Sequence, residues 1–214
     1  MTDDKYFVLT ARENDSVLKL EIMSPSGDII KHRLTPGIWE KLGYSVNDNL
    51  SEEQYAELRE LSERCEAVTR AMILLSHTMY SVKALTVRLT AAGHSQAAAE
   101  YAVKLACRRG LIDERAQAEA IAERQVTKLW RGKSRVVREL LAKGYPSDTS
   151  RAAADSIPQS AYDDALDCAL YKKTRGVYPE EKRGRDRIIS AMVNAGFSGA
   201  EVLRKLEQLR DGDS

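Results

Sequence analysis

The chain has few aromatic residues, few cysteines and no long apolar run. Aromatic side chains make up 6% of its 214 residues, against 43% for all hydrophobic residues, so we expect a core built mainly of aliphatic side chains. Its longest apolar runs, such as residues 71–75, are far too short to span a bilayer. The amino terminus lacks a basic segment followed by an apolar one. We therefore expect a cytoplasmic protein that makes no membrane contact.

The sequence also lacks the minimal parts of common catalytic and metal sites. Its three cysteines, Cys65, Cys107 and Cys168, are widely spaced, with no CxxC pair and no histidine at metal-ligand spacing. We interpret them as free thiols in the core of a protein from a reducing compartment. The phosphate-binding motif GxxxxGK[ST], the nucleophile motif GxSxG and the zinc motif HExxH are all absent. We predict no catalytic residue, no metal and no cofactor, and hence no enzyme.

Net charge is close to zero, but the charges are unevenly distributed. The chain has 33 basic and 32 acidic side chains. Residues 1–66 contain 8 basic and 14 acidic side chains, whereas residues 104–145 contain 11 basic and 5 acidic ones. An excess of this kind in one segment favours binding of an acidic partner or of nucleic acid over a mixed, solvated surface.

Short β-prone runs occupy the first part of the chain. The segments 5–11, 17–23 and 28–34 are separated by turn residues, and in the second of them apolar and polar side chains alternate. We predict a three-stranded antiparallel meander followed by a short helix that begins at Pro36 and ends at Gly43. Residues 44–49 are interpreted as a hinge. Ser51 and Gln54 fit a capping box that begins the helical part of the chain.

An internal repeat organises the rest of the sequence. Gly93, Gly144 and Gly196 lie 51 and 52 residues apart, and each is preceded by apolar residues at positions −8 and −4. The residue after each glycine carries a ring: His94, Tyr145 or Phe197. A second apolar stripe follows at positions +6, +10 and +13. Each repeat therefore predicts a helix, a glycine C-cap, a short turn and a second helix, with a lead-in helix before them.

The predicted fold is mainly α. It comprises three tandem three-helix, helix-turn-helix-like repeats that form an elongated curved solenoid, preceded by the small antiparallel β meander. The predicted segments are 1–50 for the meander and short helix, 51–110 for the first repeat, 111–158 for the second and 159–214 for the third. Lead-in helices are predicted at about residues 63–78, 113–130 and 160–171. Trp39 and Trp130 each end an apolar stripe and are assigned to the core. Gly93, Gly132, Gly144 and Gly196 are assigned to structure, because a helix C-cap or a tight join needs positive φ or close approach.

Basic side chains concentrate around the predicted helix at residues 133–142. Helical periodicity places its apolar residues on one face and Arg135 and Arg138 on the other. A basic ridge of this kind suits a phosphate backbone or an acidic groove of a protein. The alternative is a solvated face, partly neutralised by Glu123 and Glu139. To the ridge we assign Arg124, Lys128, Arg131, Lys133, Arg135, Arg138 and Lys143.

A second and weaker cluster of cations follows in the third repeat, where a solvated loop is the alternative interpretation. It comprises Lys172, Lys173, Arg175, Lys182, Arg183, Arg185 and Arg187.

The central repeat resembles a known family. Residues 132–144 match the pattern G-x-x-R-[IV]-x-x-E-L-x-x-K-G at every named position, and residues 110–114, Gly-Leu-Ile-Asp-Glu, are similar to the family's opening of this unit. Over residues 67–210 the chain thus resembles the RecX family, bacterial regulators that bind the RecA recombinase. Two departures stand out: Gln117 replaces the usual aromatic residue before Ala118, and the third unit carries an insertion at residues 172–181.

The resemblance implies a non-enzymatic inhibitor that binds in the groove of the RecA–DNA filament. Such a modulator restrains the ATPase, strand-exchange and co-protease activities of RecA, and the two basic clusters would contact the filament or its single- or double-stranded DNA. We expect a monomer. A direct DNA-binding protein of helix-turn-helix type is the main alternative, and a helical adaptor for another partner is a third.

Overall fold

A computed structural model of the protein describes residues 5–212, which form four β-strands and ten α-helices. The strands are β1 (Tyr6–Asn14), β2 (Val17–Met23), β3 (Ile29–Leu34) and β4 (Asn49–Leu50). The helices are α1 (Pro36–Leu42), α2 (Glu52–His77), α3 (Val82–Ala91), α4 (Gln96–Arg108), α5 (Glu114–Thr127), α6 (Lys133–Ala142), α7 (Ser147–Asp155), α8 (Gln159–Thr174), α9 (Lys182–Asn194) and α10 (Gly199–Gly212).

These elements divide between two compact units. Unit 1 contains residues 5–80 and 84–111, and unit 2 contains residues 81–83 and 112–212. The predicted fold class, mainly helical with an antiparallel sheet at the amino terminus, is confirmed. The division into four sequence segments and the curvature of a solenoid stay predictions.

The sheet has four antiparallel strands in the order β3-β2-β1-β4; the three predicted strands are present, and the short strand β4 was not predicted. The short strand β4 pairs with the start of β1, Tyr6 opposite Leu50. The prediction of a hinge at residues 44–49 was wrong, because this segment is hydrogen-bonded to β1. The Val8 amide donates to the Asp48 carbonyl at 3.0 Å, and the Asn47 amide donates to the Val8 carbonyl at 2.9 Å.

Helix α2 covers one face of the sheet. Its 26 residues begin earlier than the predicted lead-in helix, at the capping box in which the Ser51 hydroxyl accepts from the Gln54 amide and the Gln54 side chain accepts from the Ser51 amide. The alternating apolar residues of the strands meet Tyr55 and Leu58 of α2. The core of unit 1 contains the buried side chains Val8, Leu18, Leu20, Ile22, Leu34, Leu50, Tyr55 and Leu58.

His32 is a buried titratable group in this core. Its Nε2 lies 3.2 Å from the Tyr55 hydroxyl, and the two rings meet edge to face with 5.5 Å between their centroids. Burial, and secondarily the Arg59 guanidinium, lower the pKa of His32 below its ordinary value of 6.5.

We predict that unit 1 loses stability as the pH falls through about 6.5. Between about pH 6.5 and the lowered pKa of folded His32, the unfolded chain binds a proton at His32 more readily than the folded chain does. The contribution of His32 to the free energy of unfolding is therefore highest above about pH 6.5, decreases as the pH falls through this interval, and is constant below the lowered pKa. Urea unfolding followed by Trp39 fluorescence in a Trp130→Phe background measures this dependence. The variant His32→Gln should show a shallower slope between pH 7 and pH 5.5, and an unchanged slope would contradict the prediction.

The glycine C-caps of the three repeats share one hydrogen-bond pattern. Gly93, Gly144 and Gly196 have φ angles of 97°, 86° and 104°, a conformation that favours glycine. The amide of the following ring residue donates to the carbonyl five residues before it in each repeat, at distances of 3.3, 3.1 and 3.2 Å. The three helix pairs predicted from the glycine spacing are therefore present as α3–α4, α6–α7 and α9–α10.

The ring residues do not all have the same environment. Tyr145 and Phe197 are buried, whereas His94 is half-buried at the surface of unit 1. The Tyr145 hydroxyl donates to the Gln117 side-chain oxygen at 3.1 Å inside unit 2. Gln117, which stands where the resemblance leads one to expect an aromatic residue, thus supplies the hydrogen-bond acceptor for the buried tyrosine.

We predict that Gln117 and Tyr145 are energetically coupled. Gln117→Leu leaves the tyrosine hydroxyl without an acceptor, which costs about 1–3 kcal/mol of stability, and Tyr145→Phe leaves the glutamine oxygen without a donor. The double variant Gln117→Leu/Tyr145→Phe should cost about 1 kcal/mol less than the sum of the single changes in urea unfolding. If the losses of stability in the two single variants simply added up in the double variant, the hydrogen bond between Tyr145 and Gln117 would contribute nothing to stability.

None of the three cysteines forms a disulfide. Cys65 packs against the core of unit 1, whereas the assignment of Cys168 to the core was wrong. Cys65 and Cys107 are half-buried and Cys168 is exposed. Cys168 lies on α8, away from the helix face that carries Ala165, Leu166, Ala169 and Leu170.

Candidate interaction surface

The joint between α5 and α6 is the centre of the predicted basic ridge. Trp130 takes a φ of 50°, so the chain turns sharply there, and Gly132 is the N-cap of α6. A Cβ atom on Gly132 would lie 2.3 Å from the carbonyl carbon of Gly196, closer than atoms can approach. The Gly132 amide also donates to the Ala195 carbonyl at 2.9 Å. The close contact of these two backbone segments therefore requires glycine at position 132.

Helix α6 buries a narrower face than its pattern indicates. Val136 and Leu140 are fully buried in the core of unit 2 and Val137 is half-buried, but Leu141 is 43% exposed. Of the predicted cations on α6, Lys133 and Arg138 are exposed and Arg135 is half-buried.

Three cations of the predicted ridge already have partners within unit 2. Lys133 Nζ pairs with Asp155 at 2.6 Å, and Arg135 pairs with Glu139 one turn along α6. Arg138 donates to the Asn194 carbonyl at 3.3 Å. The contacts of Lys133 and Arg138 join α6 to α7 and α9, so part of the ridge serves packing within unit 2.

Arg135 lies closest to the backbone contact. Its Cβ and amide nitrogen would each lie 2.5 Å from a Cβ placed on Gly196. Ser134, the residue before it, lies on the same turn, and its hydroxyl donates to the Gly196 carbonyl at 2.9 Å. The α6 start is thus fixed to the turn between α9 and α10.

The remaining cations of the ridge are available to a partner. None of them forms an ion pair with a residue in the described range 5–212, and all except the half-buried Arg131 are exposed. Lys143 lies at the end of α6, where its backbone carbonyl accepts from the Ser81 hydroxyl at 2.8 Å. The others lie at or beyond the carboxyl end of α5. This set consists of Arg124, Lys128, Arg131 and Lys143.

The structure brings part of the second cluster to the same place. The Lys172 ammonium lies 5.3 Å from the centroid of the Trp130 ring, a cation–π contact between the carboxyl end of α8 and the α5–α6 joint. Lys173 follows on α8 and Arg175 caps the helix with a φ of 55°. We call this surface the Trp130 patch, and it consists of Lys128, Trp130, Arg131, Lys172, Lys173 and Arg175.

Sequence reasoning did not find this arrangement. It assigned Trp130 to the core, and the ring is indeed partly buried against the core of unit 2, but it also supports Lys172. Tyr171, which is 67% exposed beside Lys172, was not assigned at all. The sequence pointed to this surface only in that basic residues lie next to both aromatic residues: Lys128 and Arg131 near Trp130, and Lys172 and Lys173 after Tyr171.

The other cations of the second cluster lie around the start of α9. Arg185 Nη1 donates to the carbonyls of Pro179 and Glu180, at 3.2 and 2.6 Å, and therefore closes the α8–α9 loop. Arg183 and Arg187 are exposed, one turn apart on α9, and Lys182 is exposed at its first position.

No group of three or more histidine, cysteine, aspartate or glutamate side chains that could hold a metal occurs within residues 5–212. None of the helices in this range is long and apolar enough to cross a membrane.

Comparisons of sequence and of structure give different results. No protein-family model and no curated protein matches the sequence. The fold matches a crystal structure of regulatory protein RecX over 96% of this chain and 99% of that one, with a TM-score of 0.73 and 16% identity. It also matches RecX from Lactobacillus salivarius over 69% of this chain and 97% of that one, with a TM-score of 0.61 and 14% identity. The chain therefore has the fold of the RecX proteins, the family that its central motif resembles.

Proposed function

We propose that this chain is a non-enzymatic regulator of the RecA recombinase that binds in the groove of the RecA–DNA filament and restrains its ATPase, strand-exchange and co-protease activities. The observation that carries the proposal is the fold shared with RecX proteins along 96% of the chain, together with the motif at residues 132–144. A regulatory role for the matched protein supports the same role here.

The Trp130 patch is the surface that we assign to the filament. Lys172 lies over the Trp130 ring, and four further cations lie within three residues of Trp130 or Lys172 along the chain. Of these, Lys128, Lys173 and Arg175 are exposed. Cations arranged in this way attract acidic protein surfaces and phosphates, speed association and set the register of binding. Exposed Tyr171 adds a ring that can pack against a partner. Arg124 and Lys143 extend the charged surface, and Arg183 and Arg187 form a further candidate contact.

A binding experiment separates this proposal from direct DNA binding. Fluorescence anisotropy of the labelled protein is measured with RecA filaments on a poly-dT oligonucleotide, and with the same oligonucleotide alone, across a salt series. We expect at least tenfold tighter binding to the filament near physiological salt. Equal or tighter binding to naked DNA, with affinity that falls steeply as salt rises, would instead support the DNA-binding alternative.

A further inference from the structure

Unit 1 contains a groove that the proposed function does not use. Its volume is about 980 Å³, and it lies between the strand-rich amino-terminal part and the helices α2 and α4. The β1–β2 turn and the end of β3 form one side; α4 contributes Tyr101 and Leu105, and its C-cap residue Arg109 follows at the same helical spacing. The groove is at the upper end of the size range of small-ligand sites.

The floor of the groove is aliphatic. Leu34 is buried, and Ile38, Leu61 and Leu105 are half-buried along it. Ile73 also lines the groove and is 46% exposed. Apolar side chains of a bound segment would remove this surface from water, which favours binding.

The rim of the groove is basic, although the first 66 residues of the chain, which supply most of the groove, carry a net negative charge. Residues 1–66 contain 8 basic and 14 acidic side chains. The groove nevertheless has only two acidic residues, Asp15 and Glu66, among those that line it. Its basic residues are Lys19, Arg33, Arg64, Arg70 and Arg109, together with the ring of His94.

Most of these cations have no internal partner. Arg64 is the exception, since it pairs with Glu60 and lies over the Tyr101 ring at 5.1 Å. The other four are exposed and form no ion pair with any residue between 5 and 212. Cations that are not used within the chain surround an apolar floor, so the groove is complementary to a ligand with the opposite charge and apolar side chains.

We propose that this groove binds an acidic peptide segment of a partner protein, with leucine or isoleucine side chains on the floor and carboxylates at the arginine rim. A peptide fits better than nucleic acid because single-stranded sites stack bases on aromatic side chains. Tyr101 is the only tyrosine among the lining residues, which include neither phenylalanine nor tryptophan. The residues that line the groove all belong to unit 1, and none of them belongs to the Trp130 patch.

The test measures peptide binding by the full-length chain in the absence of RecA. The probe is a fluorescein-labelled peptide in which aspartate and glutamate alternate with leucine, and its binding is followed by fluorescence anisotropy. Two control peptides replace either the acidic residues by lysine or the leucines by serine. We expect saturable binding of the probe alone, weakened as salt rises. Equal binding of the lysine peptide, or no binding up to millimolar concentration, would overturn the proposal.

Matched variants locate the site. Arg33→Glu/Arg70→Glu changes two rim residues and should raise the Kd of the probe at least tenfold. Arg88→Glu/Lys104→Glu makes the same change of charge at exposed positions of unit 1 outside the groove, and should leave the Kd within twofold. Ile73→Ser should raise the Kd several-fold without unfolding, because the side chain is exposed. Equal effects of the two charge variants, or displacement of the peptide by a poly-dT oligonucleotide at lower concentration, would contradict a peptide site here.

Discussion

Replacing Gly132 by alanine should destabilise unit 2 by about 3 kcal/mol or more. The new Cβ would lie 2.3 Å from the carbonyl carbon and oxygen of Gly196 and 2.5 Å from the Phe197 nitrogen. All three are backbone atoms that cannot rotate away, so the start of α6 must separate from the α9–α10 turn. Forced overpacking of a buried contact usually costs about 1–3 kcal/mol, and backbone clashes cost more because no side chain can yield. Urea unfolding followed by circular dichroism measures the loss.

Two other glycines provide matched controls for this variant. Gly199→Ala meets nothing within 4 Å at the start of α10 and should be neutral or should stabilise the helix by up to about 1 kcal/mol. Gly93→Ala also meets nothing, but its φ of 97° should cost about 1–2 kcal/mol through backbone strain alone. If Gly132→Ala were no worse than Gly93→Ala, the close contact between Gly132 and Gly196 would not govern the packing of unit 2.

Charge reversal in the Trp130 patch should abolish most of the effect on RecA. Lys128→Glu/Lys173→Glu changes two exposed cations at the carboxyl ends of α5 and α8. Lys128 lies two residues before Trp130, and Lys173 directly follows Lys172, the cation that contacts the Trp130 ring. We expect the concentration for half-maximal inhibition of the RecA ATPase to rise at least tenfold, because two attractive contacts become repulsive. The helical signal should be unchanged, since acidic residues in the last turn cost only a few tenths of a kcal/mol at exposed positions.

The control for this variant is Arg151→Glu/Arg204→Glu. Both residues are exposed in unit 2, neither forms an ion pair within the described residues, and the change in net charge is the same. Inhibition by the control should stay within twofold of the parent. Equal losses in the two variants would mean that net charge matters and that the Trp130 patch is not the contact.

Local hydrogen bonding explains why the repeat could be predicted. A helix that ends in a glycine C-cap needs positive φ at that residue and an apolar stripe one and two turns before it, so Gly93, Gly144 and Gly196 with their flanking residues leave a pattern in the sequence. The same holds for the capping box at Ser51. Strand β4 leaves no such pattern, because its two residues are held by pairing with β1, about 40 residues away along the chain.

The surface of unit 2 was predicted in composition but not in detail. Nothing in the residue type or helical spacing of Lys133, Arg135 and Arg138 distinguishes them from cations that remain available to a partner. In the structure, however, Lys133 and Arg135 form ion pairs with Asp155 and Glu139, and Arg138 donates a hydrogen bond to the Asn194 carbonyl. Asp155 and Asn194 become adjacent to these cations only after α7 and α9 have packed against α6, whereas Glu139 lies one turn from Arg135 on α6 itself. The contact between Trp130 and Lys172 likewise joins residues 42 positions apart, so periodicity within one helix could not reveal it. The groove of unit 1 depends on long-range packing in the same way.

Titration of the RecA ATPase with this protein tests the central claim most directly. The single-stranded-DNA-dependent rate is measured at fixed RecA and DNA as the protein is added, with Lys128→Glu/Lys173→Glu and its charge-matched control in parallel. Regulation through the filament groove predicts inhibition at less than one protein per RecA subunit, lost in the patch variant and kept in the control. An unchanged ATPase at a severalfold excess of the protein over RecA would contradict the proposed function.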